Sequence, residues 1–179
     1  MDRVMLVRHA EAEGQHRDSP LSRRGLKETA ALAEELNNWS CCEAVFSSPF
    51  LRAIETIKPF AEEHGLSIQT DERLEERILS DVPLEDWEEY IEDSFHDREM
   101  KVSGGESARD AKERVREFLE EVDSFTYPLL VTHGEILVYI LEHFGMEVSF
   151  EDWLSFSYPD AILLEKDGNQ WKFRRIWHK

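Results

Sequence analysis

Short apolar runs alternate along this chain with longer stretches whose apolar positions recur every three or four residues. Arg3 to Val7 (RVMLV) is the first such run, and its shortness and valines predict a buried strand. A polar loop ending in DSPLSRRG follows. LKETAALAEEL then sets Leu26, Ala30, Ala33 and Leu36 at helical spacing, which predicts an amphipathic helix with those four on its apolar face. CCEAVFSSP predicts a strand running into a serine N-cap, with Pro49 at the first helical position. The helix FLRAIETIKPFAEEHG continues from there, expected to kink or end locally at Pro59 and to stop at Gly65.

LSIQT reads as another short strand. LEDWEEYIEDSF places Leu84, Trp87, Ile91 and Phe95 near one helical face, with carboxylates crowding the other. SGGESARDAKERVREFLEEV reads as a long charged helix with Val115, Leu119 and Val122 on its apolar stripe, started by Glu106 and Ser107. PLLVTHGEILVYILEHFG repeats the opening pattern of apolar strand, polar break and helix. DAILLEKDGNQWKFRRIW reads as two strands about an Asp-Gly turn, a hairpin. With no fixed-period repeat and no linker, residues 1–179 are expected to form one domain.

Strands alternating with helices predict an α/β fold, a largely parallel sheet covered on both faces and closed by an antiparallel hairpin. In such sheets ligands collect at the carboxyl ends of the strands. Three predicted strand ends carry unusual polar residues: Arg8-His9, Ser47-Ser48-Pro49 leading to Arg52, and His133-Gly134. If the three strands are parallel, these residues meet at one edge.

The charge balance sharpens that expectation. The chain has 21 basic and 39 acidic residues, a net charge of -18, so its general field repels nucleic acid and anionic membrane, and neither is an expected partner. Two arginines and two histidines converging on one point would be a local cationic exception, suited to a phosphoryl group. A neutral imidazole there can attack phosphorus and form a covalent intermediate, with a carboxylic acid protonating the leaving oxygen. Apolar residues make up 41% of the chain without any run long enough for a membrane span or a secretory signal, so the expected location is cytoplasmic. Cys41 and Cys42 are adjacent, fit no zinc template and are expected only to pack.

LVRHAEAEG resembles the RHG/RHA signature of the histidine phosphatase superfamily, also called phosphoglycerate mutase-like. The resemblance continues in family order through DSPLSRRG, SSPFLRAIET, RLEER, GGES and VTHG, from residue 4 to about residue 135. It implies a three-layer α/β/α sandwich with a mostly parallel mixed sheet. Carried over by position, it makes His9 the nucleophile and Arg8, Arg52 and His133 the phosphate pocket. Glu76 takes the place of the general acid, preferred to Glu75 because the family glutamate follows a leucine by two, here Leu74. Gln15 stands where mutases of this family have an asparagine and is assigned to substrate contact. The chemistry so implied needs no metal and no cofactor. The chain departs from the family in reading Ile78-Leu79-Ser80 after the acidic motif and Ala10 after the nucleophile.

The implied activity is a metal-independent phosphatase that hydrolyses small phosphomonoesters through a phosphohistidine on His9. Alternatives are a cofactor-dependent phosphoglycerate mutase, disfavoured by the short chain, a phosphohistidine protein phosphatase, and a non-catalytic phosphate-binding module. The acidic segment Glu85 to Asp93, if it lies over the pocket mouth, should favour esters with a neutral or cationic remainder. Trp87, Trp153, Phe156 and Tyr158 are expected to pack in the core rather than line a leaving-group pocket. Monomer and homodimer both stay open.

Overall fold

A computed structural model describes residues 1–39 and 42–178. In chain order the elements are β1 (Arg3–Arg8), α1 (Arg23–Leu36), β2 (Ala44–Ser47), α2 (Leu51–Glu63), β3 (Ile68–Thr70), α3 (Trp87–His96) and α4 (Ala108–Val122). There follow β4 (Pro128–Thr132), α5 (Gly134–His143), α6 (Phe150–Leu154), β5 (Asp160–Asp167) and β6 (Gln170–Trp177). The six strands form one sheet in the order β3-β2-β4-β1-β5-β6. β1, β2, β3 and β4 run parallel, and β5 returns antiparallel beside β1 and turns into β6. Gly168, at φ +63, takes the left-handed position of the hairpin turn, where a side chain would be strained.

The period-two alternation of the strands decides the layers. Val4 and Leu6 of β1, Phe46 of β2, Leu130 of β4 and Ile162 of β5 pack with Val115, Phe118 and Leu119 of α4 and Ile136, Val138 and Ile140 of α5. Met5, Val7, Val45, Leu129, Val131 and Leu163 point the other way, onto Leu32 and Leu36 of α1 and Ile57 and Phe60 of α2. The result is the three-layer α/β/α arrangement of the expected mixed sheet. Cys42 is buried in the second core; Cys41 lies outside the described residues.

Two helices depart from the sequence pattern. In α1, Leu26 is 56% exposed and Ala30 also faces solvent, while Gly25, Glu28 and Thr29 are buried with Leu32, Ala33 and Leu36. The first turns of this helix lie on the polar loop before it: a Cβ on Gly25 would come 2.1 Å from the Glu11 carbonyl oxygen. Backbone at that distance admits only glycine, and the helix rotates its leucine outward to make the contact. In α2, Pro59 neither ends nor divides the helix, which continues to Glu63. Pro59 is on the solvent face, where water can satisfy the carbonyl it leaves unpaired, and Ile57, Phe60 and Ala61 hold both sides of it against the core.

α2 also begins later than expected. Its N-cap is Phe50, without a side-chain cap, and Ser48 serves elsewhere. Trp87 and Tyr158 are 44% and 38% exposed, so these two aromatics are not core residues; Trp153 and Phe156 are.

Candidate active site

The parallel register of β1, β2 and β4 aligns their ends. Arg8 pairs with Thr132 and Ser47 with Val131, so His9, Ser48 and His133 each stand just past the last ladder positions. The backbone confirms the alignment: the His9 N–H donates to the Thr132 carbonyl over 3.0 Å and the Ser48 N–H to the Val131 carbonyl over 2.9 Å. All three side chains therefore emerge at one edge, and Arg52 reaches it from the first turn of α2.

Arg52 is the hub. Its Nε–H donates to Nε2 of His9 over 3.1 Å, its Nη2 lies 3.3 Å from Nδ1 of His133, and its Nη1 donates to the carbonyls of Gln15 and His16, each over 3.1 Å. Because a guanidinium only donates, the two imidazole nitrogens facing it must be acceptors. The other nitrogen of each ring then carries the proton. In His9 that is Nδ1, which donates to the Ala10 carbonyl over 2.8 Å; in His133 it is Nε2, bonded to Ser48 Oγ over 2.8 Å.

Burial and the neighbouring guanidiniums enforce the neutral state. The His9 imidazole is pushed down to about 3, chiefly by burial and then by the charge of Arg52. His133 is held well below its ordinary range by burial, then by His9 and Arg52. Burial also lowers Arg52, against the opposing influence of Glu76 and Tyr158.

Arg8 stands beside them, buried, with Nη1 donating to the Phe156 carbonyl over 2.7 Å and Nη2 donating to the Tyr158 hydroxyl. Its guanidinium carbon lies 3.6 Å from the centre of the Tyr158 ring, and that ring is 5.3 Å from the His9 ring. A Cβ on residue 134 would come 3.0 Å from both Arg8 Nη2 and Trp153 Nε1, so glycine there lets the helix start close to the guanidinium.

Glu76 enters from the segment after β3. The buried Leu74 anchors that segment, and its carbonyl accepts from Thr132 Oγ1 over 2.8 Å. Arg114 of α4 donates to the carbonyls of Arg73 and Glu75 and is itself held by Glu106 at 2.8 Å. So pinned, the Glu76 carboxylate lies at the start of α5, 3.3 and 3.4 Å from the Glu135 amide nitrogen. Glu75 turns away and pairs with Arg17 at 3.0 Å. The structure thus sets Glu76, not its neighbour, beside the His133-Gly134 end of the site. Gln15 is exposed and meets the site through its carbonyl, not its amide.

Sequence reasoning passed over several residues that hold this geometry. Thr56, one turn after Arg52, accepts from the Ala10 N–H over 2.9 Å and donates to the Arg52 carbonyl over 2.6 Å, which fixes the peptide that orients His9. It stands in the quoted SSPFLRAIET motif, so a signal existed. Ser48, read as a helix cap, orients His133, and Glu106, read as part of a helix start, clamps Arg114. Tyr158 had no signal beyond being aromatic. Among the described residues no three His, Cys, Asp or Glu side chains are grouped as a metal site would require, and no helix is long and apolar enough to cross a membrane.

The chain resembles characterised and solved proteins along most of its length. Phosphoserine phosphatase 1 of Hydrogenobacter thermophilus is 32% identical over 141 residues, which cover 68% of this chain and 64% of that protein. A Yersinia pestis protein named "Probable phosphoglycerate mutase GpmB" is 29% identical over 158 residues, 76% of this chain and 72% of its own. The solved mycobacterial glucosyl-3-phosphoglycerate phosphatase superposes with a TM-score of 0.79 at 21% identity, over 99% of each chain, which shows a shared fold. The family model of the histidine phosphatase superfamily, branch 1, matches residues 4–178, from the first buried strand to the end of the hairpin. On that match and on this strand-end arrangement, the chain belongs to the histidine phosphatase superfamily.

Proposed function

We propose that this protein is a phosphatase that hydrolyses small phosphomonoesters through a phosphohistidine on His9, with residues 1–179 as one catalytic unit in a cytoplasmic setting. One observation carries the reading: His9 is held neutral with Nδ1–H committed to Ala10 and the Nε2 lone pair turned toward Arg52. An arriving phosphoryl group offers oxygens to the Arg52 donors in place of the two imidazoles, and the Nε2 lone pair is released for in-line attack.

The N–P bond forms as the ester P–O bond breaks. Arg8 and Arg52 stabilise the charge on the equatorial oxygens, joined by His133 in its other neutral tautomer, with Nδ1–H toward a phosphoryl oxygen and Nε2 accepting from the Ser48 hydroxyl, and protonated Glu76 gives its proton to the leaving oxygen. Water then attacks the phosphohistidine, passing a proton to the Glu76 carboxylate, and inorganic phosphate leaves with His9 neutral again. No step uses a metal. The likeness to a phosphoserine phosphatase supports hydrolysis as the outcome.

The test is turnover of p-nitrophenyl phosphate, and of 3-phosphoglycerate with a bisphosphoglycerate primer, in the presence of a chelator, for the wild type and His9→Ala. Phosphate release that survives chelation and disappears without His9 is expected. Isomerisation without phosphate release would make the protein a mutase, and vanadate binding without either activity would make it a phosphate-binding module.

A further inference from the structure

Among the described residues, six of the eight large apolar side chains that face solvent fall in two stretches: Ile78, Val82, Trp87 and Val102 in one, Leu154 and Tyr158 in the other. Scattered exposed apolar residues need no explanation, but a cluster bordering a pocket does. Both stretches border this one. The first begins two residues past Glu76, and the second holds Tyr158, whose ring lies on Arg8 and beside His9. They meet where Trp87 packs edge to face on Trp153, ring centres 6.5 Å apart, and Trp153 in turn lies against Gly134.

The charge of the same rim is one-sided. Residues 78–102 contain nine Asp and Glu against two cations, Arg98 and Lys101, and these are paired with Glu142 and Asp110. Arg77, the arginine next to Glu76, is withdrawn: its side chain is fully buried, 2.9 Å from the Glu135 carboxylate and 3.0 Å from Ser94 Oγ. Arg17, at the opposite loop, is already paired with Glu75. A carboxylate on the leaving group would therefore approach a stretch of predominantly negative charge and two arginines with partners of their own.

We infer that the pocket takes esters of an aromatic alcohol whose remainder is uncharged or cationic, and discriminates against leaving groups that carry a carboxylate. The inference rests on the phosphatase reading for the site and adds the class of substrate. Aromatic faces at Tyr158 and Trp87 supply apolar contact and stacking for a ring, and the predominantly negative stretch supplies the sign selection.

Benzyl phosphate, 4-carboxybenzyl phosphate, 4-(aminomethyl)benzyl phosphate and propyl phosphate test it, because their alcohols are all primary and differ mainly in ring and charge. Expected is a kcat/KM for the benzyl and aminomethylbenzyl esters about tenfold or more above that of the carboxybenzyl ester, and above that of propyl phosphate. Trp87→Ala should narrow the benzyl-to-propyl ratio. Equal or better use of the carboxybenzyl ester, or a ratio indifferent to Trp87→Ala, would overturn the inference while leaving the phosphatase reading intact. The corresponding benzylphosphonates, measured by calorimetry, read the preference without turnover. Selective phosphonate binding with no ester hydrolysed would uphold the pocket and remove the phosphatase, and unselective binding would remove the inference.

Discussion

The Nε–H of Arg52 points at the Nε2 of His9, 3.1 Å away, and the two groups determine each other's state. Burial, and after it the charge of the guanidinium, keeps the imidazole neutral, and the guanidinium aims its lone pair; the imidazole occupies a donor that an oxyanion would otherwise take. Arg52 makes its remaining bonds to His133 and to the carbonyls of residues 15 and 16, so its plane is fixed before any ligand arrives. Such preorganisation lets charge develop on a transferring phosphoryl group without the site having to rearrange.

Arg52→Lys tests that arrangement. A single ammonium retains the charge but cannot reach both imidazoles and two carbonyls in one plane. We expect kcat/KM to fall by about 100-fold or more with the fold retained. A loss below threefold would show that charge alone, not the fork, matters.

His9→Ala should reduce turnover by at least about 1000-fold. Rapid quenching of the wild type with labelled substrate should trap an acid-labile, alkali-stable phosphoryl adduct, absent from the variant. An adduct that persists in His9→Ala would place the nucleophile elsewhere.

Arg114→Ala frees the carbonyls of Arg73 and Glu75 and leaves Glu106 without its partner, so the segment carrying Glu76 keeps its Arg73–Glu121 pair but loses its backbone tie to α4. The expected result is a fall in kcat of about tenfold with KM little changed, and a stability loss of about 1–3 kcal/mol. The split between kcat and KM separates misplacement of the acid from weakened phosphate binding.

Glu135 and His9 should give opposite pH dependences of stability. Burial, then the charge of Glu76, pushes the Glu135 carboxyl up to about 7, so the folded state holds a proton that the unfolded chain releases above about 4.5. Its contribution is present at low pH and is lost as pH rises from 4.5 through 7. His9, pushed down to about 3, works the other way: between 6.5 and 3 only the unfolded chain is protonated, and stability falls as pH falls. Comparing urea unfolding of the wild type with Glu135→Gln cancels the histidine contribution. The stability of the wild type relative to the variant should grow as pH is lowered from 7 to 4.5, and a constant difference would show that Glu135 does not titrate there.

Gly25→Ala addresses the fold alone. The new methyl would come 2.1 Å from the Glu11 carbonyl, so α1 or the loop must shift. A stability loss of about 1–3 kcal/mol is expected with kcat near that of the wild type, measured by denaturant unfolding and steady-state turnover.

Much of this was legible along the chain. The short apolar runs at Val4–Val7 and Leu129–Val131 and the helical spacing of Val115, Leu119 and Val122 set the alternation of elements, and a parallel sheet sends successive strand ends to one edge. His9, Ser48 and His133 could therefore be brought together on paper, because each follows its strand directly. What periodicity reports is which face of an element is buried, and it is silent on what lies against that face. Leu26 was read inward because its spacing matched Leu36, while the approach of the Glu11 backbone decided otherwise. The same holds at the site. In the sequence Glu76 is told from Glu75 by the leucine register of the family resemblance; the contacts that turn them apart, Thr132 on the Leu74 carbonyl 58 residues on, Arg114 on the Arg73 and Glu75 carbonyls and Arg17 on the Glu75 carboxylate, come only with folding. Ser48 and Tyr158 find their partners 85 and 150 residues away, in His133 and Arg8. The sequence by itself determined the elements, their order and the strand-end chemistry, since those depend on neighbours in the chain. The tertiary structure decided the tautomers, the opposite facing of Glu75 and Glu76 and the aromatic rim, since those depend on groups that only folding brings within reach.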